Sequence, residues 1–206
     1  HNINTGLGYA TIQEAINAPE TLDGHTIFVE AGTYHEYVVV NKTVSLIGEN
    51  RDTTVIDGLY QDDVIHVTAS GTTIKQFTIR NSAPPGMRIY SGINLNNVNN
   101  TIVEENNIIN TTWGIYMNTC KNNTIIRNRV TNNTDGIVSS ISGCNLIANN
   151  DVINNTGCGI GLWMSSDNIT VKSNNVTGNS FGIEIYSSRS ETIYDNYVAK
   201  NREYGI

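Results

Sequence analysis

Short apolar runs alternate with polar gaps on a fixed beat through the second half of the chain. Gly-Ile pairs begin at Gly92, Gly114, Gly136, Gly159, Gly182 and Gly205, at intervals of 22, 22, 23, 23 and 23 residues. Segments of that length cannot bury a core alone and must stack on copies of themselves. Aligned on the pairs, they give apolar columns: Ile93, Ile115, Ile137, Ile160, Ile183 and Ile206; Leu95, Met117, Leu162 and Ile185, interrupted by Ser139; Val103, Ile125, Ile147, Val171 and Ile193; Ile108, Val130, Val152, Val176 and Val198. Within a run such as Ile115-Tyr116-Met117 the period is that of a half-buried strand, and no segment sustains a helical period. Two polar columns accompany them. One holds Asn106, Asn128, Asn150, Asn174 and Asn196; the other holds Asn133, Asn155, Asn179 and Asn201, with Thr111 in its first place. Asn tolerates left-handed backbone at a turn, and stacked Asn side chains can pass amide hydrogen bonds from coil to coil.

Parallel strands with no helix between them predict an all-β fold, a right-handed single-stranded parallel β-helix. Its coils rise by the ordinary inter-strand spacing, about 4.8 Å. The Leu-rich consensus of a leucine-rich repeat is absent. The chain reads as one domain over residues 1–206: an amino-terminal cap and first strand region over 1–26, irregular coils over 27–91, and regular coils over 92–206. Tyr9 to Ile16 has the spacing of one short helix, with Thr11 and Glu14 placed as a capping box. Such a helix would cover the first coil. Strands follow at Ile27 to Val29, Tyr37 to Val40, Val44 to Ile47 and Val55-Ile56, and Thr73 to Ile79 falls into the repeat register with Phe77 where the Asn column begins. Ala83-Pro84-Pro85-Gly86 reads as a projecting loop. The last pair, Gly205-Ile206, opens another coil, so the chain is expected to continue or to be covered there by a neighbour, including another copy of itself.

Net charge is −7, and charged residues make up 15% of the chain, which argues against a nucleic-acid partner. No stretch approaches the roughly 20 apolar residues of a membrane span. No leader is visible, and a chain beginning at His1 is read as having lost its start. Cys120, Cys144 and Cys158 cannot all pair internally; free thiols are expected, with a Cys120–Cys144 bridge as the alternative. Eight Asn-x-Ser/Thr sequons, at Asn41, Asn99, Asn110, Asn122, Asn132, Asn154, Asn168 and Asn175, are candidate glycosylation sites, against roughly six expected from composition.

The opening, Tyr9-Ala10-Thr11-Ile12-Gln13-Glu14-Ala15-Ile16, then Ile27 to Glu36, Leu46-Ile47-Gly48-Glu49 and Val55-Ile56-Asp57-Gly58, resembles that of pectin-lyase-like β-helices. The Asn-Asn-x-Ile and Gly-Ile repeats resemble the NosD-like group of carbohydrate-binding and sugar-hydrolase domains, similar to repeats of archaeal surface and envelope proteins. The resemblance implies an extracellular or cell-envelope location. It leaves activity open, because this superfamily holds lyases, hydrolases, esterases, epimerases and non-catalytic surface proteins.

Sugar hydrolysis asks for two carboxylates about 5 to 9.5 Å apart. The outward column within the Gly-Ile strands reads His66, Asn94, Tyr116, Val138, Gly161 and Glu184; the next reads Thr68, Asn96, Asn118, Ser140, Trp163 and Tyr186. On this reading Glu184 has no carboxylate partner. Asp57, Asp62 and Asp63 form the alternative catalytic cluster, set against their reading as solvated turn acids; the same acids could serve calcium, and otherwise no cofactor is expected. Gly32-Thr33-Tyr34-His35-Glu36 matches an amino-terminal pectin-esterase signature, but the catalytic strands of that family have no counterpart, so the segment is read as the first coil's turn. The NosD likeness raises copper, yet His1, His25, His35 and His66 do not cluster and have no nearby Cys or Met, so no metal site is expected. Tyr116, Trp163, Glu184 and Tyr186, with Tyr90 at the edge, make a candidate glycan-binding face, or equally a contact between subunits. Two functions follow as expectations. One is a structural or adhesive surface scaffold that binds glycans or copies of itself. The alternative is a carbohydrate-active enzyme, a lyase, hydrolase or esterase, acting on an extracellular polysaccharide.

Overall fold

The computed structural model describes residues 1–84 and 90–206, so Pro85 and Gly86 of the proline loop lie outside the described residues. The chain winds into a parallel β-helix of three sheets. Two have eight strands and the third has seven, and every neighbouring pair is parallel. The first sheet runs from Thr26–Val29 to Thr192–Tyr194, the second from Gly32–His35 to Tyr197–Ala199, and the third from Val38–Val40 to Phe181–Tyr186. The apolar columns are the sheet registers. Ile93, Ile115, Ile137, Ile160 and Ile183 lie over one another in the third sheet. The column from Val103 to Ile193 lies in the first sheet, and that from Ile108 to Val198 in the second. Their side chains fill a continuous core down the cylinder.

Both asparagine columns are hydrogen-bonded ladders. The Oδ1 of Asn128 accepts the backbone N–H of Asn106 and its Nδ2–H, each at 3.1 Å, while the Asn128 Nδ2 donates to Val103 O at 2.8 Å and to Asn150 Oδ1 at 3.1 Å. The second ladder repeats the pattern through Asn155, Asn179 and Asn201. Thr111 begins it by donating both its N–H and its hydroxyl to Asn133 Oδ1, and Phe77 N–H begins the first by donating to Asn106 Oδ1. A shorter third ladder, Thr101 to Asn123 to Asn145, was not among the columns read from the sequence.

The ladder asparagines are not left-handed; the residue before each one is. Glu105, Arg127, Asn149, Ser173 and Asp195 precede the first ladder with φ of 54–56°, and Asn110, Asn132, Asn154 and Lys200 precede the second with φ of 56–58°. That single left-handed residue turns the chain from one sheet into the next, which frees the following Asn to point inward. Ile141 occupies another such corner at φ 51° while 55% exposed. A β-branched residue there carries a penalty of roughly 1–2 kcal/mol. Ile141→Asn is therefore expected to raise stability by about 1 kcal/mol, read as a higher midpoint of urea unfolding at unchanged slope.

The amino-terminal helix, Ile12–Asn17, has the capping box and buries Ile12, Ala15 and Ile16 over the first coil. A second acceptor was not anticipated: the Glu36 carboxylate takes the N–H groups of Ile12 and Gln13, each at 3.0 Å. Gly32–His35 is a strand of the second sheet paired with Thr54–Asp57, not the turn expected from the sequence. Its side chains are mostly solvent-facing, so it lacks the apolar alternation that marks the other strands. All three cysteines are free, and the alternative Cys120–Cys144 bridge does not form. Cys120 is buried with its Sγ donating to Leu95 O, whereas Cys144 sits exposed at a left-handed corner.

Candidate functional site

The residues expected to bind glycans lie on the outer face of the third sheet. Tyr116, Val138, Gly161 and Glu184 occupy successive rungs of one column, and Trp163 and Tyr186 are neighbours in the next. Two further residues complete the group: Trp113 and Asp135, from the column just before the repeat glycine. Trp113 packs on Tyr116 with centroids 4.2 Å apart and meets Trp163 edge-on at 6.2 Å. Each indole is held by a carboxylate, Trp113 Nε1 donating to Asp135 Oδ2 at 3.0 Å and Trp163 Nε1 to Glu184 Oε2 at 2.8 Å. Gly161 makes this packing possible. A Cβ there would sit 2.7–2.9 Å from three atoms of the Trp163 ring, so the indole lies flat against bare backbone. Val138 faces outward yet is fully buried, its register neighbours being Tyr116 and the Gly161 roofed by Trp163. Tyr186 stands beside Trp163 at 63% exposure, and the Tyr90 carbonyl accepts the Trp113 N–H.

Glu184 is thus not an isolated acid, as the outward columns alone implied. Burial pushes the Asp135 carboxyl above its ordinary range, the hydrogen bonds from Cys158 N–H and Trp113 partly offset this, and the negative charge of Glu184 adds to the rise. The Cys158 thiol is pushed far up by burial and by the same two carboxylates, which makes it inert. Tyr116 is raised chiefly by burial. The face therefore offers aromatic surfaces at fixed angles, with carboxylate oxygens beside them able to accept hydroxyl groups.

Asp57, Asp62 and Asp63 do not converge. Asp57 is buried on the second sheet, where burial raises its carboxyl but bonds from Asn81, Leu59 and Arg80 outweigh that and hold it low. Asp63 accepts Ser91 N–H at 2.6 Å and Asn94 Nδ2 at 2.8 Å, with His66 Nδ1 at 3.2 Å. Asp62 accepts the Asp63 N–H. Two of these acids knit coils together. The sequons fall mainly on corners: Asn110, Asn132 and Asn154 form one exposed left-handed row, and Asn122 and Asn168 belong to another. Asn41 is exposed as well, while Asn99 and Asn175 are half-buried and bond through their amides to Lys121 N–H and Asp151.

A family model described as periplasmic copper-binding protein (NosD) matches residues 20–205. The chain belongs to the NosD family. A cell surface glycoprotein of Methanothermus fervidus is 30% identical over 117 residues, covering 44% of this chain and 19% of that protein, so the chain spans about a fifth of its curated relative. Among solved structures, the mannuronan C-5 epimerase A-module of Azotobacter vinelandii matches with a TM-score of 0.65 at 15% identity, over 93% of this chain and 72% of that one. A pectin methylesterase from Yersinia enterocolitica matches with a TM-score of 0.58 at 17% identity, over 89% and 66%. At such identities the likeness is one of fold. This NosD-family β-helix is a surface protein of the extracellular space or cell envelope, and no described helix is long and apolar enough to cross a membrane.

The copper in the family's description can be set against the donors present. Among the described residues no three His, Cys, Asp or Glu side chains converge. His66 Nδ1 is turned onto Asp63, both oxygens of which are engaged, and Cys120, Cys158 and Met117 are buried in the core, with the Cys120 Sγ turned onto backbone carbonyls. This donor set does not fit a copper site, which wants soft or imidazole ligands brought together.

Proposed function

We propose that this NosD-family chain is a surface scaffold that binds glycans on the outer face of its third sheet. The observation that carries this is the pair of indoles, Trp113 and Trp163, each fixed by its own carboxylate and set edge-on 6.2 Å apart. Rigid aromatic faces can cover the apolar face of a sugar ring at small entropic cost, and the adjoining carboxylates of Asp135 and Glu184 accept its hydroxyls. The saccharide relationships of the structural neighbours favour this occupant over a second copy of the chain. The sequon rows at Asn110, Asn132 and Asn154 and at Asn122 and Asn168 would carry the protein's own glycans at the corners, clear of the sheet face.

A glycan array followed by tryptophan-fluorescence titration tests the reading. The expected result is saturable binding of at least one oligosaccharide that Trp163→Ala weakens at least tenfold. Loss of no affinity in that variant, or no ligand on the array, overturns it. The enzymatic alternative draws on the raised Asp135 carboxyl close to the charge of Glu184. Product release from a polysaccharide panel, abolished by Asp135→Asn or by Asp62→Ala and Asp63→Ala, would replace the scaffold reading.

A further inference from the structure

On the second-sheet side of the cylinder, three of the chain's 12 basic residues converge. Arg51, Arg127 and Arg129 line an open groove of about 330 Å³ together with Asp151, Asn149 and Asn175. Such a gathering stands out in a protein of net charge −7. Arg127 is already committed, its Nη2 to Glu104 at 2.7 Å and its Nε to Glu105 at 2.9 Å. Arg51 and Arg129 are not: among the described residues neither has a carboxylate within ion-pair distance. For Arg129 this is notable, because Asp151 is its register neighbour on the next rung. Asp151 instead accepts the Asn175 Nδ2 at 3.0 Å, which leaves the guanidinium fork of Arg129 open to the groove.

We infer that this groove binds an acidic polysaccharide, meaning a glycan carrying carboxylate or sulfate groups. A planar guanidinium takes either group through two parallel hydrogen bonds. Asp151 and the exposed amide of Asn149 supply the acceptors and donors that a hydroxyl-rich chain requires and a bare inorganic anion does not. Rungs repeat about every 4.8 Å along the axis, so Arg129, Asp151 and Asn175 would meet successive parts of a saccharide lying along the cylinder. Nucleic acid fits poorly, since the acidic net charge repels a chain of such charge density and Asp151 faces into the groove. The inference is independent of the third-sheet site, which presents carboxylates rather than guanidinium groups.

Affinity electrophoresis of the intact chain in gels containing polygalacturonate, dextran sulfate or unsubstituted dextran tests it. The wild type is expected to be slowed in at least one of the anionic gels and not in dextran. An Arg51→Gln/Arg129→Gln double variant is expected to lose at least tenfold in apparent affinity, with unchanged thermal unfolding, while Trp163→Ala keeps its retardation. Slowing by polygalacturonate alone identifies carboxylate as the recognised group, and slowing by dextran sulfate alone identifies sulfate. The proposal is overturned if neither anionic gel retards the wild type, if dextran retards it equally, if the double variant is retarded like the wild type, or if Trp163→Ala abolishes the effect.

Discussion

Asn150→Ala is expected to be among the most damaging single substitutions in this chain, costing about 4 kcal/mol, at the level of two buried groups each losing a partner. Asn150 Oδ1 accepts the Asn128 backbone N–H at 2.9 Å and the Asn128 Nδ2 at 3.1 Å. Its own Nδ2 donates to Ile125 O at 2.9 Å and Asn174 Oδ1 at 3.0 Å. Alanine removes all four bonds in a fully enclosed place, and the Asn128 N–H and the Ile125 carbonyl are then left without water or protein to replace them. The matched control is Asn154→Ala. That residue is exposed at a left-handed corner, and its replacement should cost only about 1 kcal/mol, through backbone strain. Urea unfolding followed by circular dichroism separates the two. Equal losses would mean that the ladder contributes nothing beyond ordinary turn preference.

Gly136→Ala is the second large effect. Gly136 needs no positive φ; it is glycine because the next coil passes too close. A Cβ there would collide with the Gly159 carbonyl oxygen and lie 2.5 Å from Val152 Cγ1 and 3.1 Å from Asn155 Nδ2. The first obstacle is backbone and cannot step aside without separating two rungs of the third sheet. The expected loss is about 3 kcal/mol, the upper range for overpacking. Gly8→Ala, where nothing lies within 4 Å of the added carbon, should shift stability by less than about 0.5 kcal/mol. Thermal unfolding of the two variants side by side decides the matter. Indistinguishable midpoints would show that the rungs can part more easily than the geometry implies.

The repeat glycine illustrates what could be read in advance. Because each coil stacks on its predecessor with no offset, a residue type demanded at one rung is demanded at the next, and the demand is visible as a column. The same logic made Asn128 over Asn150 legible, and placed Ile115 over Ile137. Where a contact runs diagonally between columns, that signal vanishes. Trp113 and Asp135 lie in the column before the glycine, and the indole of Trp113 reaches Asp135 one coil on and Trp163 two coils on. Reading only the outward positions inside the strand therefore left Glu184 apparently alone. Asp63 escaped in the same manner: its partners Ser91 and Asn94 come from the following coil. The left-handed corners were hidden for another reason. Arg127, Thr119 and Ile141 occupy them, and none of these residue types announces such a backbone; only the fixed path between sheets imposes it.

By itself the sequence determined the winding of the chain: parallel strands stacked coil on coil, the register of their apolar columns, the two Asn ladders and the helix over the first coil. These follow from periodicity, because stacking makes each local preference repeat. Which side chains meet across the cylinder's surface was decided by the tertiary structure alone. There the two indoles find their carboxylates and the arginines of distant coils find one groove, since long side chains span several rungs and their meeting depends on where neighbouring backbone, as at Gly161, leaves room for them.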